Sequence, residues 1–264
     1  MNMQPIGTAV STAQHLPPPG LSRWLTQRLA RNWTIGKLAN RASSPVVSFT
    51  FDDFPKSAVI NGARILRANG VRGTFFASGL FEGHHESGID YFDRDDLVAL
   101  AADGHEIGCH TFGHLALPYT KARDLDDDLA RNAEFVRSTL DNYEMSSFAY
   151  PFGFVSIPKK AYIGRRFPIA RGIWPGVNET AIDFRQLKAI SLDPSLKFDA
   201  VTKALDRAQA SNGWVIFFTH DVSVVPSHHG VTPPELERIL DEVLARRIDV
   251  LPMKNAAAKV RFAC

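Results

Sequence analysis

From residue 45 onward, short runs of β-branched and aromatic residues alternate with longer segments of helical periodicity. Apolar runs of four to seven residues, bounded by polar and turn residues, are typical of buried strands. The pattern therefore predicts strands at residues 46–51, 71–77, 105–110, 147–151, 168–171, 215–220 and 248–251.

Two of the segments between these strands carry an apolar face at helical spacing. The faces consist of Leu125, Leu129, Ala133, Val136 and Leu140 in the first segment and of Leu236, Ile239, Leu240, Val243 and Leu244 in the second. The second helix has a start signal, with Thr232 as N-cap, Pro233 in the first turn and Glu235 completing a capping box.

Strands that alternate with helices predict an α/β fold in which helices cover a mostly parallel sheet, either open or closed into a barrel. No GxGxxG or P-loop sequence follows a strand, which argues against a nucleotide-binding version. Residues 1–42 are predicted to be an N-terminal extension with one amphipathic helix over 21–38, and residues 43–264 to be a single domain. Packing of the extension against the domain and a dimer contact are both open at this point.

Composition narrows the class of protein. The hydrophobic fraction of 45%, the charged fraction of 22% and the net charge of +2 are those of an ordinary globular protein, without the basic stripe of a nucleic-acid binder or a polybasic membrane patch. Two cysteines do not make a disulfide framework, and Cys109, inside an apolar run, is predicted to be a small buried residue. No apolar run is long enough for a membrane span or a signal peptide, which favours the cytoplasm.

Polar residues lie at or just after the C-terminal ends of three predicted strands. Asp52 and Asp53 follow the first strand, His110 and His114 lie at and after the third, and His220 and Asp221 follow the sixth. The ends of parallel strands share one face of the fold, where active sites are built. Two histidines four residues apart, completed by a carboxylate, can hold a divalent ion and leave positions open for water.

Six motifs in order resemble those of the polysaccharide deacetylases, the carbohydrate esterase family 4 with its chitooligosaccharide-deacetylase homology domain. They are TFDD at 50–53, GTFF at 73–76, GHEIG at 104–108, HTFGH at 110–114, AYPFG at 149–153 and FTH at 218–220. The resemblance covers residues 45 to 253. It implies a distorted (β/α) barrel of about seven parallel strands and one divalent metal, usually zinc.

The resemblance also implies roles for individual residues. Asp53, His110 and His114 would be the metal ligands, Asp52 the general base and His220 the acid that protonates the leaving amine. A backbone N–H near Phe152, beside Pro151, would hold the oxyanion, and Trp174 is assigned to the substrate. Asp221 either orients His220 or faces solvent. The implied reaction removes N-acetyl or O-acetyl groups from a glycan such as an N-acetylglucosamine polymer.

Two motifs depart from the family pattern. The third motif of the family often begins with an arginine that contacts the catalytic aspartate, and Ala149 stands in that place. The fourth motif, an acidic or serine residue followed by tryptophan, has no match. We predict that Arg171, at the end of the next strand, supplies the missing guanidinium to Asp52. The alternative is that Arg171 is a surface residue or pairs elsewhere.

Three other functions compete with deacetylation of a glycan. The missing arginine favours a catalytically weak sugar-binding protein on the same fold. A histidine pair with one carboxylate also suits an iron oxygenase, although those proteins order their ligands differently and use an all-β double sheet. A hydrolase of a small non-glycan amide remains open. His84, His85, His228 and His229 lie in polar segments and are predicted to be solvated or to line the substrate rim.

Overall fold

A computed structural model describes residues 21–86 and 88–261 of the chain. The helices are α1 (Leu21–Asn32), α2 (Arg64–Ala68), α3 (Arg94–Ala102), α4 (Ala122–Thr139), α5 (Ile157–Ile163), α6 (Phe198–Ser211), α7 (Pro233–Ala245) and α8 (Met253–Arg261). A π-helical turn, Ala58–Ala63, leads into α2.

The strands are β1 (Lys37–Ala39), β2 (Val46–Asp52), β3 (Thr74–Ala77), β4 (His85–Glu86), β5 (Ile89–Asp90), β6 (Glu106–Cys109), β7 (Ser147–Ala149), β8 (Ile169–Arg171), β9 (Ala181–Asp183), β10 (Ile190–Ser191), β11 (Trp214–Thr219) and β12 (Asp249–Val250). Strand β2 is buried along its whole length, as its unbroken apolar sequence requires in a sheet that is covered on both faces.

The main sheet is parallel and follows the order β10-β11-β2-β3-β6-β7-β8, and β12 pairs with the first two residues of β2. The sheet curls back on itself, because a parallel bridge between Arg171 and Leu187 links β8 to the chain just before β10. The backbone N–H of Gly172 donates to the carbonyl of Leu187 at this junction. The predicted distorted barrel is therefore confirmed, and the open sheet is not the arrangement adopted.

The seven predicted strands correspond to β2, β3, β6, β7, β8, β11 and β12, most of them shortened by one to three residues. Strand β10 was not predicted, because Ile190 and Ser191 alone have no periodicity to detect. Helices α4 and α7 contain the predicted apolar faces, although Leu140 lies just after α4 as its C-cap.

Residues 21–42 pack on the barrel through polar contacts and through the small apolar side chains of Ala30 and Ala42. Helix α1 ends at Asn32, not at residue 38 as predicted, and residues 37–39 instead form β1, which pairs antiparallel with β9. The buried ammonium of Lys160 on α5 donates to the carbonyls of Ala30 (2.9 Å) and Trp33 (3.1 Å) and forms an ion pair of 2.6 Å with Asp183. These bonds satisfy carbonyls that the end of α1 leaves without helical partners.

The start of α8 is held by two polar residues inside the barrel. The backbone N–H of Met253 donates to Thr74 Oγ1, and that of Lys254 donates to Glu106 Oε2. Thr74 also donates to Glu106 at 2.9 Å. Parts of the GTFF and GHEIG motifs therefore serve the fold, because they satisfy the first backbone N–H groups of a helix at the N-terminal ends of the strands.

Replacing Thr232 by alanine is expected to destabilise the protein by about 1 kcal/mol, because the capping box of α7 is lost. Both halves of the box are present, since Thr232 accepts from the Glu235 backbone and Glu235 accepts from the Thr232 backbone. Urea unfolding followed by circular dichroism measures the change. Thr202, whose hydroxyl donates to a carbonyl within α6, is the matched control. Equal unfolding midpoints for Thr232→Ala and Thr202→Ala would contradict the capping role.

Candidate active site

The C-terminal ends of β2, β3, β6 and β11 meet on one face of the barrel. The register aligns Asp52 on β2 with Phe76 on β3, and Thr219 on β11 with Phe51 on β2. Asp53 and His220 directly follow β2 and β11, and His110 directly follows β6. The polar residues that end the predicted strands are therefore brought to one place by the parallel register.

Asp53, His110 and His114 form a cluster whose potential ligand atoms all lie within 4.8 Å of one another. The Nε2 atoms of His114 and His110 are 3.3 Å and 3.8 Å from the Asp53 carboxylate oxygens. Asp53 and His110 are buried, and His114 is half-buried. One carboxylate and two imidazoles that converge in this way are the donor set of a three-ligand site for a transition metal.

The backbone around the cluster is held in sparsely populated conformations. Asp53, Thr111 and His114 have φ angles of 53°, 62° and 48°. Such left-handed conformations cost free energy in non-glycine residues and persist where the surroundings impose them. Asp128 on α4 imposes the turn between the two histidines, because its carboxylate accepts from the backbone N–H groups of Phe112 and Gly113. At 2.6 Å and 2.8 Å, these are charge-assisted bonds of the stronger kind.

The tautomer of His110 is set by the backbone of the neighbouring strand. Nδ1 of His110 is 2.8 Å from the carbonyl oxygen of Ala149. Because a carbonyl can only accept, Nδ1 carries the proton, and Nε2 of the neutral ring presents its lone pair toward Asp53. Ser78 completes this support, since its hydroxyl contacts Asp53 Oδ1 at 3.3 Å and donates to the His110 carbonyl at 3.0 Å.

The protonation states of the two histidines and the buried charge of Asp53 favour a metal ion at the cluster. Burial lowers the pKa of His110, although Asp53 and Asp52 oppose it, and burial lowers the pKa of His114 to about 3. Both imidazoles are therefore neutral at pH 7, the form that ligates a metal. Burial also raises the pKa of the Asp53 carboxyl, despite the nearby His110 and His220. A bound cation would compensate that buried charge, so the residues fit the metal that the motifs imply.

Asp52 lies beside this cluster in an ion pair with Arg171. The guanidinium Nη2 of Arg171 donates to Asp52 Oδ1, and Nη1 donates to the Gly172 carbonyl at 3.0 Å. Arg171 is fully buried, with its guanidinium carbon 5.2 Å and 4.9 Å from the ring centroids of Phe76 and Phe218. Burial raises the pKa of Asp52, but the charge of Arg171, with smaller effects from His110 and His220, outweighs burial, so the pKa lies below its usual value.

The register of β7 and β8 explains why Arg171 can stand in for the arginine expected at position 149. Ala149 is the direct partner of Arg171 across the two parallel strands. Residues paired in this way point to the same face of a sheet. A guanidinium at position 171 therefore enters the barrel at the level of position 149, and the small side chain of Ala149 leaves it room. The predicted contact between Arg171 and Asp52 is confirmed, and a surface position for Arg171 is wrong.

The AYPFG motif places an aromatic ring against the cluster. Pro151 opens a short 3-10 turn, Pro151–Gly153, in which Phe152 has a φ of 56°. The ring centroid of Phe152 lies 4.2 Å from that of His114. Contact with the substrate and a backbone oxyanion donor at Phe152 stay predictions, but the loop is beside the site as both roles require.

His220 lies at the end of β11 and is influenced by the same charges. Burial lowers its pKa, and the carboxylates of Asp53 and Asp52 oppose that effect. Asp221 does not face solvent, because it is buried and accepts from the backbone N–H of Ser227 at 2.9 Å and from the Ser227 hydroxyl. Its carboxylate therefore shapes the loop that returns His229 to a ring distance of 5.0 Å from His220.

Other predicted residues lie apart from the cluster or at its margin. Trp174 lines a different cavity of about 360 Å³ together with Arg31, Asn178 and Gln186, and Arg31 covers its ring at 4.6 Å. A substrate role for Trp174 therefore stays a prediction without support from this placement. Cys109 is fully buried, as predicted.

The histidines that the sequence placed in polar segments are exposed, except for His84, which is half-buried. His85 and its neighbour His84 pair with Asp90 and Glu86 of the hairpin formed by β4 and β5. His228 is also exposed. Among the residues that the structure describes, only Asp53, His110 and His114 form a metal-capable group of three.

Sequence reasoning missed three residues that organise the site: Ser78, Asp128 and Asn132. Ser78 directly follows β3, so the rule that polar residues at strand ends build the site could have found it. Asn132 on α4 accepts from the Gly79 backbone and donates to the Ala77 carbonyl. Asp128 and Asn132 had no local signal, because polar residues on an amphipathic helix are ordinarily solvated.

Comparison with known proteins finds similarity to one family over part of the chain. Residues 39–163 match the family model described as polysaccharide deacetylase. A chitin deacetylase from Colletotrichum lindemuthianum is 29% identical over 107 residues, which cover 40% of this chain and 42% of that protein. The chain thus spans less than half the length of this curated relative.

Solved structures share the fold at low sequence identity. The Xyl-CE4 domain of a multidomain xylanase, from the hindgut metagenome of Trinervitermes trinervoides, is 17% identical with a TM-score of 0.58, covering 82% of this chain and 91% of that one. A family 4 acetyl xylan esterase from Clostridium thermocellum, in complex with a cobalt ion, is 17% identical with a TM-score of 0.57, covering 80% and 89%. At these identities the likeness concerns the fold.

Proposed function

We propose that this chain is a polysaccharide deacetylase, a metal-dependent hydrolase that removes N-acetyl groups from a glycan, because residues 39–163 match that family model and a chitin deacetylase is 29% identical over 107 residues. The observation that carries the proposal is the buried ion pair of Asp52 with Arg171 next to the cluster of Asp53, His110 and His114. An ionised carboxylate beside a metal-capable site is the arrangement that activation of water requires.

Asp53, His110 and His114 would hold one divalent ion, for which we propose Zn²⁺ from the two nitrogen donors and one oxygen donor. When bound, such an ion supplies Lewis acidity that polarises an acetyl carbonyl and makes water easier to deprotonate. The protein contributes orientation, because Ala149, Ser78 and Asp128 hold the histidines and the aspartate in place.

Asp52 is the general base in this proposal. Arg171 keeps it ionised and holds one of its oxygens, which leaves the other able to accept a proton from water. His220 is the acid that protonates the nitrogen leaving group. A lowered pKa makes the imidazolium of His220 a strong acid, and the carboxylates of Asp53 and Asp52 favour formation of that imidazolium during turnover.

A glycan suits the surroundings better than a small amide. A cavity of about 570 Å³ lies next to the residues that follow Asp53 and His220, and its polar lining residues include Lys56, Asn61 and Asp90. Hydroxyl-rich sugar units can hydrogen-bond to such side chains. The alternative of a catalytically weak sugar-binding protein rested on the missing arginine. Because Arg171 supplies to Asp52 the guanidinium that Ala149 lacks, that argument no longer applies.

Acetate release from N-acetylglucosamine oligomers tests the proposal. The full chain is stripped with a chelator, reloaded with Zn²⁺ and assayed with its metal content measured in parallel. We expect acetate from the reloaded protein and none from the stripped protein. Acetylated xylan, assayed beside the amide substrate, separates N-acetyl from O-acetyl specificity. A protein with full metal occupancy that releases no acetate from any acetylated glycan overturns the proposal.

Replacing Arg171 by methionine is expected to lower turnover about 10- to 100-fold, the usual cost of losing a residue that orients a catalytic group. Without the guanidinium, the pKa of Asp52 rises, because burial is no longer outweighed. Activity needs the ionised carboxylate, so the acidic limb of the pH–rate profile moves to higher pH.

The profile of Arg171→Met is measured with metal content fixed, beside Arg171→Lys, which keeps a charge but loses the planar fork. We expect the acidic limb of Arg171→Lys to lie close to that of the wild type, whereas its turnover stays lower than that of the wild type. Wild-type turnover in the methionine variant would show that Asp52 does not depend on Arg171.

A further inference from the structure

Helix α1 carries its apolar residues on the side that faces away from the protein. Of the eleven large apolar side chains that are exposed in the described part of the chain, five lie between residues 24 and 38: Trp24, Leu25, Leu29, Trp33 and Leu38. Trp24, Leu29 and Trp33 are 52%, 56% and 62% exposed. A surface helix ordinarily turns such a stripe toward the core, so its outward position calls for a partner.

The inward face of α1 is polar or small. Arg23, Thr26 and Gln27 are half-buried and Ala30 is fully buried, at the spacing of one helical face. The attachment to the barrel uses Lys160, which donates to the carbonyls of Ala30 and Trp33, and the guanidinium of Arg23, which lies 3.8 Å from the ring centroid of Phe154. Because other contacts hold α1 in place, its exposed apolar residues are available to bind another surface.

The charge around this stripe has one sign. Residues 1–51 contain five lysines and arginines and no aspartate or glutamate. Arg28, Arg31 and Lys37 are exposed beside the apolar residues. These cations are spread along the chain and not clustered, so the sequence did not show a polybasic patch. In the folded chain the guanidinium of Arg28 lies 5.0 Å from the ring centroid of Trp24, and Arg31 and Lys37 line the cavity that contains Trp174.

We infer that α1 and the residues up to Leu38 bind the surface of an anionic lipid membrane. A helix with tryptophan and leucine on one face and arginine at its margins lies in the lipid interface with its apolar face inserted among the headgroups. The two exposed tryptophans of the stripe, Trp24 and Trp33, suit that depth. A second copy of the chain is a poorer occupant, because two such faces would bring like charges such as Arg28 of each copy together, and residues 1–51 contain no acidic residue to offset them.

This placement differs from spanning a membrane. Within residues 21–86 and 88–261 no helix is long and apolar enough to cross a bilayer. The inferred contact is also close to the candidate active site, because Phe154, on which Arg23 lies, stacks on Phe152 beside His114. Docking would hold the rim of the site near the lipid surface. The inference does not depend on the proposed function.

Vesicle flotation with the full chain tests the inference. The protein is mixed with phosphatidylcholine vesicles that do or do not contain phosphatidylglycerol, and the floated fraction is measured at low and high salt. We expect binding only to the anionic vesicles, weakened by salt because surface charges are screened. Replacing Arg28 by glutamine should lower the partition coefficient about fivefold, the usual contribution of one cation near such a surface.

The decisive variant is the double replacement of Trp24 and Leu29 by glutamine, which should lower binding more than tenfold, because two large apolar side chains no longer insert into the lipid interface. The matched control replaces Val98 and Tyr119, which are 47% and 49% exposed elsewhere on the surface, by glutamine and should bind as the wild type does. Equal urea unfolding midpoints establish that both variants fold.

Three results would overturn the inference: no flotation of the wild type with anionic vesicles, equal flotation of the Trp24/Leu29 variant and the wild type, or loss of flotation in the Val98/Tyr119 control. Sedimentation velocity measures in addition whether the chain forms a dimer. A dimer that the Trp24/Leu29 variant abolishes, without vesicle binding by the wild type, would assign the stripe to self-association. Binding to insoluble glycan without vesicle binding would assign it to substrate.

Discussion

His114→Ala is expected to lose metal binding and acetate release together. The variant removes one of three ligands, and its loss should weaken metal affinity by more than the 10- to 100-fold that outer-shell partners cost. The remaining pair, Asp53 and His110, approach no closer than 3.8 Å between His110 Nε2 and Asp53 Oδ1 and would hold an ion with two donors only. Metal content after dialysis at neutral pH and acetate release are measured on the same sample.

The control for this variant is His228→Ala, which removes an exposed imidazole outside the cluster. It should keep both metal and activity. If His114→Ala retains one metal per chain, His114 is not a ligand, whatever its activity. If it loses activity and keeps the metal, the cluster of Asp53, His110 and His114 acts on the substrate in another way.

Asp52→Asn is expected to keep the metal and the fold but to lose acetate release by about 10²- to 10⁴-fold, the contribution of a general base in the transition state. Asparagine has nearly the same shape and cannot accept the proton. Arg171 then lies buried without its counter-charge, and the variant should also lose stability. Unfolding must therefore be measured, and activity compared at a temperature at which the variant is fully folded.

Asp127→Asn provides the matched control for this substitution, because Asp127 is an exposed residue of α4. It should leave turnover, metal content and unfolding unchanged. Metal content separates the two roles at the end of β2, since a role for Asp52 as a ligand would lower occupancy and a role as the base would not. Near wild-type turnover of Asp52→Asn on a confirmed substrate would remove Asp52 from the mechanism.

Much of the catalytic face follows from local sequence. A strand such as β2 is apolar along its length until Asp52, so both the strand and its functional end are visible in the pattern. The capping box of α7 lies within four residues and was predicted correctly. The residues of the cluster were expected together because parallel strands place their C-terminal ends on one face, whatever the details of packing.

The tertiary structure alone decided the features that depend on register and on which side of an element is covered. Arg171 reaches Asp52 because β7 and β8 align it with Ala149, and the sequence could only suggest that alignment. Barrel closure beside β8 uses a single bridge between Arg171 and Leu187, and β10, which follows, has only two residues, too few for a periodic signal. The supporting bonds of Asp128 to Phe112 and Gly113 join residues on different elements, so no local pattern records them.

Helix α1 shows the same division most directly. Its sequence contains an apolar stripe and a polar face, and periodicity correctly predicts a helix there. The usual rule would bury the stripe, but the bonds from Lys160 to Ala30 and Trp33 hold the other face against the barrel. Local periodicity determines that an element forms, because it reflects contacts a few residues apart. The direction in which the element faces depends on contacts between residues that are distant in sequence, and these contacts form only when the chain folds.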